Sequence, residues 1–187
     1  MKEKRQVVMR KMSSLLVATS LVAAGLVTGA GVLGTAVAPA GGLNAKFCVS
    51  ANLKVSLGTV QGTAGTIYHP IVFTNVGSSA CTIFGVPVIQ PVSGADHRAV
   101  GPLARNLSMG EMPAIHLLAE GRSVSVAFGV IETGNYTRST CVPKGADGVI
   151  VSVGSFLHSR YVHLPIVVCT KRISISTKLI TAGASGY

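Results

Sequence analysis

The sequence predicts an all-β fold: an antiparallel, Ig-like β-sandwich of about seven to nine strands, preceded by a signal peptide. Three observations carry this prediction. Apolar residues recur with period two in short runs, and no stretch shows sustained helical spacing. Gly, Ser, Thr and Pro punctuate those runs at the spacing of turns. A basic N-terminus followed by a long uncharged stretch precedes four cysteines, the layout of an exported, disulfide-bonded domain.

The strands follow in order. Leu53, Val55 and Leu57 alternate with Asn52, Lys54 and Ser56 and predict a half-buried strand. Ile67 to Thr74 is a second, apolar on both faces from Ile71 to Phe73. Asn75-Val76-Gly77-Ser78-Ser79 has turn composition. Cys81–Phe84 and Val86–Val92 read as one strand bent at Gly85-Val86-Pro87, where proline suits an edge or a corner. The cleanest alternation puts Val124, Val126, Phe128 and Val130 on one face and Ser123, Ser125, Ala127 and Gly129 on the other. A strand beginning Val149-x-Val151-x-Val153, another over Tyr161–Cys169 and a last over Ile173–Ile180 complete the set. Residues 93–113 and 132–148 are expected to be long loops.

Residues 2–11 carry five basic side chains, whereas residues 14–37 carry no charge. This is the order of a signal peptide, and Ala38-Pro39-Ala40 supplies small residues for cleavage before Gly41. The expected division is therefore a signal peptide over 1–40 and a secreted β-sandwich domain over 41–187. Left uncut, the same stretch is long enough to anchor the chain in a bilayer, and membrane contact is expected only through it. Lipid attachment is not expected, because the first cysteine, Cys48, follows Lys46-Phe47 rather than the apolar stretch.

Cys48, Cys81, Cys141 and Cys169 all lie beyond this segment. An even number of cysteines in an oxidising compartment predicts disulfides. Of the three pairings, Cys48–Cys81 with Cys141–Cys169 is preferred, since each bond closes a local loop.

Composition also restricts function. Of the formal charge of +10, residues 1–40 contribute five bases and one acid (+4), which leaves 11 bases and five acids (+6). Those bases are scattered, Trp is absent and aromatic residues make up 5%. Nucleic-acid binding is not expected from such a chain. No Cys-x-x-Cys pair or His–Cys spacing suggests a metal, and Cys169 lacks the closely following His or Met of a copper site. Gly-x-Ser-x-Gly and Ser-x-x-Lys are absent beyond residue 40. The five acids, Asp96, Glu111, Glu120, Glu132 and Asp147, are dispersed over predicted loops. No catalytic residue, cofactor or metal ligand is therefore expected.

The stretch Phe73-Thr74-Asn75-Val76-Gly77-Ser78-Ser79-Ala80-Cys81-Thr82-Ile83-Phe84-Gly85-Val86-Pro87 resembles the Thr-Asn-x-Gly…Cys-Thr-Leu-x-Gly-x-Pro core of the domain-of-unknown-function 4232 family, found in exported actinobacterial proteins. The resemblance extends over about residues 47–180 and takes in Cys48, Leu118-Ala119-Glu120-Gly121, Cys141 and Cys169. Val86 stands where the family often has an aromatic, and Glu120-Gly121 where Pro-Gly is common. The resemblance implies a secreted sandwich without established catalytic residues. The motif itself reads as structural: an Asx turn at Asn75, freedom of φ at Gly77 and a bend at Gly85 and Pro87.

These readings converge on a secreted, non-enzymatic binding or structural domain of the cell envelope or extracellular space. Its partner is expected to be an envelope polymer, a lipid or a protein, met through loops 93–113 and 132–148. The alternatives are an envelope hydrolase using loop carboxylates such as Asp96 and Glu132, and the outer domain of a membrane-tethered receptor.

Overall fold

A computed structural model describes residues 45–154 and 157–187. The expected signal peptide and its cleavage point before Gly41 lie outside the described residues. Short 3-10 turns apart, the elements run β1 (Leu53–Leu57), β2 (Gln61–Thr63), β3 (Thr66–Asn75), β4 (Cys81–Ile83), β5 (Val88–Ser93), β6 (Arg98–Ala99), β7 (Arg105–Asn106), β8 (His116–Leu118), β9 (Ser123–Ile131), α1 (Arg138–Cys141), β10 (Pro143–Val153), β11 (Leu157–Cys169), β12 (Ile175–Thr177) and β13 (Thr181–Ala182). The domain is an all-β sandwich. One sheet has the order β1-β3-β9-β12-β7, with β2 on β3 and β13 on β9; the second runs β11-β10-β5-β6; β4 and β8 pair separately. Among the described residues every strand pair is antiparallel except β12 with β7.

The core lies between the inner faces of the two main sheets. Ile71 and Phe73 of β3 meet Val126 and Phe128 of β9 in one sheet, and Ile89, Val149, Val151, Leu164 and Val168 supply the other. Period-two alternation turns these side chains inward, and burying each one stabilises the fold by about 1.5–3 kcal/mol. Prolines fall where a ladder donor is dispensable. Pro70 of the central strand β3 lies just beyond Leu57–Ile71, the last pair made with β1, and Pro165 lies on β11, an edge strand.

β9 departs from its two-faced pattern, because Ser125 and Ala127 are buried as completely as Val126 and Phe128. The C-terminal tail covers this second face. Thr181 and Ala182 pair with Ser125 and Val124, Ser125 Oγ accepts the Gly186 amide at 2.7 Å, and Tyr187 meets the Tyr68 ring edge-on at 5.8 Å. Ser125 and Ala127 are small because backbone lies directly over them.

Three expected boundaries are corrected. The single bent strand over Cys81–Val92 is two strands in different sheets: β4 pairs β8 and β5 pairs β10. Gly85, at φ +102°, makes the crossover with a backbone conformation that L side chains rarely adopt. The loop expected over 132–148 contains a 3-10 turn (Thr133–Asn135), α1 and the start of β10. Pairing of Pro143–Ala146 with Ile166–Cys169 makes that stretch a strand although Lys144 and Gly145 are exposed and break the alternation. The last strand, expected over Ile173–Ile180, is interrupted because Leu179 N–H turns to Ser108 Oγ (3.2 Å) and Ile180 N–H to Gly85 O (3.0 Å). Within 93–113, β6 and β7 are two-residue strands.

Candidate functional site

The core-facing row of β3 continues from Phe73 and Ile71 to His69 and Ile67. Cross-strand pairing sets His69 opposite Phe128 and Ile67 opposite Val130. At this end the space between the sheets opens into a cleft of about 590 Å³, a size suited to a small ligand. Ile67 and Val130 line one side, and Ala146, Pro165 and Ile166 of β10 and β11 the other. Glu132, Thr133 and Gly134 add the polar part of the lining. This turn is fastened to the β2–β3 turn, since Gly65 O accepts both Glu132 N–H (2.9 Å) and Asn135 Nδ2 (3.1 Å).

His69 is the distinctive group of the cleft. Burial lowers its pKa from the ordinary 6.5, so the ring is neutral near physiological pH. Its Nδ1 is buried and has no hydrogen-bond partner. A buried polar atom without a partner is costly. Nothing in the sequence distinguishes His69, which occupies one inward position among apolar ones.

The cysteines form two disulfides, Cys48–Cys81 and Cys141–Cys169. Cys48–Cys81 clamps the start of the domain to β4, where Phe47 also bridges Thr82. Cys141–Cys169 joins α1 to the end of β11, beside the strand pair that walls the cleft.

The acids do not assemble. Asp96 sits on the β5–β6 turn with Arg98 at 3.5 Å, both side chains exposed, whereas Glu132 lines the cleft. Glu111 and Glu120 are exposed. Asp147 accepts Gly94 N–H (2.8 Å) and Ser93 Oγ–H (2.9 Å). These two bonds, the Gly94 amide first, hold its carboxyl below the usual range. Tyr161 Oη donates to Asp147 O at 3.2 Å, and its ring stacks on His97 at 4.3 Å. His116 Nε2 lies 2.9 Å from Ile180 O, and His158 and His163 are exposed. Among the described residues, no three His, Cys, Asp or Glu side chains are placed to hold a metal.

A family model described as "Domain of unknown function (DUF4232)" matches residues 48–177, from the first cysteine to the end of β12. No curated protein matches the chain.

Proposed function

Since the chain belongs to the DUF4232 family, whose description assigns no activity, we propose its function from its own cleft: a secreted, non-enzymatic binding domain of the cell envelope or extracellular space that takes a small, largely apolar molecule at His69. The carrying observation is the His69 ring, neutral and set beside Ile67 and Val130 in the lining of the cleft. A neutral imidazole offers one donor and one acceptor, which suits a ligand with an apolar body and a single hydroxyl, amide or carbonyl. Paired cysteines support the oxidising location. Glu132 without a second carboxylate in the lining supports binding over acid–base hydrolysis.

Titration of the full chain with 8-anilinonaphthalene-1-sulfonate, an apolar probe with one anionic group, tests the cleft. Gly145 lines it, and a Cβ added there meets no atom within 4 Å, so Gly145→Phe is chosen to narrow the opening, with circular dichroism checking that the fold is kept. Saturable fluorescence is expected, weakened at least tenfold by Gly145→Phe. Equal binding by both proteins defeats the proposal. Turnover in a hydrolase panel that disappears in Glu132→Gln would instead establish an enzyme.

A further inference from the structure

The segment joining β7 to β8 holds the three most exposed large apolar side chains of the described residues: Met112 (90%), Met109 (82%) and Ile115 (70%). Leu107 and Leu117 beside them are nearly half exposed. Large apolar side chains exposed to this degree and gathered in one short segment mark an interaction site more often than chance. The segment is held firmly at both ends by residues 177–180. Leu107 N–H donates to Thr177 O at 2.9 Å, Leu179 N–H to Ser108 Oγ at 3.2 Å, and His116 Nε2 lies against Ile180 O. Asn106 Oδ1 accepts Ser108 N–H at 2.8 Å, closing an Asx turn at the base. The tip from 109 to 115 is exposed throughout.

Cations adjoin this tip. Arg105 and Arg172 line one small hollow together with Leu107, Tyr68 and Tyr136, and the Arg172 guanidinium stacks 3.9 Å above the Tyr136 ring. Among the described residues the one ion pair is Arg98–Asp96, so neither guanidinium in the hollow meets a carboxylate. Lys178, in the strap that fastens the tip, is exposed. These three cations against Glu111, the one acid of the tip, leave a local charge of +2 (three minus one).

We propose that the β7–β8 tip and the adjoining Arg105–Arg172 hollow form a docking surface for an anionic lipid bilayer. Met109, Met112 and Ile115 enter the acyl region, and Arg105, Arg172 and Lys178 receive the lipid phosphates. Side chains that stand clear of the surface suit insertion into a fluid phase, and interfacial binding combines buried apolar area with attraction of basic residues to anionic headgroups. This surface is distinct from the His69 cleft and does not depend on the cleft being filled.

The chain contains no tryptophan, so Met112→Trp places a single reporter at the tip and Val88→Trp, on an exposed position of β5, places one elsewhere. Both are made in the full chain and mixed with vesicles of phosphatidylcholine alone or with phosphatidylglycerol. The Met112→Trp emission is expected to shift to the blue only with phosphatidylglycerol, and the Val88→Trp emission to stay unchanged. This comparison separates insertion of the tip from adsorption through residues 1–44. In the reporter chain, Arg105→Gln with Arg172→Gln is expected to weaken the response roughly tenfold or more, Glu111→Gln to strengthen it, and Gly145→Phe to leave it unchanged. Co-sedimentation of Met109→Ser/Met112→Ser, with circular dichroism confirming its fold, should show less binding than the parent chain.

Several outcomes overturn the proposal: no shift with phosphatidylglycerol, an equal shift at position 88, or indifference to the arginine changes. Displacement by inorganic phosphate at matched ionic strength would assign the hollow to a free anion instead. A shift with envelope proteins but not with vesicles would assign the tip to a protein partner.

Discussion

Asn75 Nδ2 donates to Leu118 O at 2.9 Å, and the Asn75 side chain is wholly buried. The same nitrogen donates to Ser79 O at 2.9 Å, while Oδ1 accepts Gly77 N–H at 3.0 Å. One amide thus closes the turn after β3 and ties it to the end of β8. The backbone adds Asn75 N–H to Arg122 O and Gly121 N–H to Asn75 O, joining the motif to the loop before β9. Asn75→Ala should cost about 3 kcal/mol, because three hydrogen bonds go and buried groups lose their partners. Asn75→Asp should cost at least as much, since a carboxylate cannot donate to the two carbonyls. Urea unfolding midpoints of both variants check this.

His69 should impart a pH dependence of determined sign. Its pKa is lowered by burial from 6.5, so between the lowered value and 6.5 the unfolded chain binds more protons than the folded one. Stability is full above 6.5, falls as pH drops through that window, and levels off below the lowered value. His69→Phe should abolish this component and remove the unpartnered nitrogen, leaving stability above pH 6.5 equal or greater. Denaturation midpoints across the window, compared between the two proteins, provide the test.

The two disulfides should contribute similarly to stability and differently to the cleft. They close loops with sequence separations of 33 and 28 residues, each worth about 3–4 kcal/mol in the chain-entropy picture. Replacing Cys141 and Cys169 together by serine should lower the unfolding temperature and weaken anilinonaphthalene binding, because this bond lies beside the β10–β11 wall. Replacing Cys48 and Cys81 should lower stability alike but leave binding intact in the folded protein.

Asp147 should hold the β5–β6 turn through the Gly94 amide and the Ser93 hydroxyl. Its folded pKa lies below the ordinary 3.8, so its contribution is present above 3.8 and is lost as pH falls through the lowered value. Asp147→Asn should flatten that acid-side dependence and speed amide exchange at Gly94. Hydrogen exchange followed by NMR at Gly94 measures the second effect directly.

Strands were legible wherever alternation and burial coincide. Val124, Val126, Phe128 and Val130 face inward as their spacing demands, and Val149, Val151 and Val153 do the same. Legibility failed at Lys144-Gly145, where pairing with β11 makes a strand of a segment whose side chains stay in water. It failed again at Ser125 and Ala127, which resemble a solvated face but lie under the C-terminal tail. The candidate sites were less accessible still. Cleft residues from 67 to 167 are brought together by sheet packing, and no local pattern records that meeting. The loop at 93–113 was expected to carry contacts, and the exposed apolar side chains Met109 and Met112 within it were not distinguished from the rest.

By itself the sequence determined the β architecture, through period-two alternation that has only one way to bury its apolar half. Its turn motif likewise specified the Asx turn, because Asn75 Oδ1 and Gly77 N–H are two residues apart. Only the tertiary structure decided that Cys81 and Val92 belong to different sheets, that His69 opens into a cleft, and that Arg105 and Arg172 share a hollow. Those relationships join residues distant along the chain, and the packing of one sheet against another sets them.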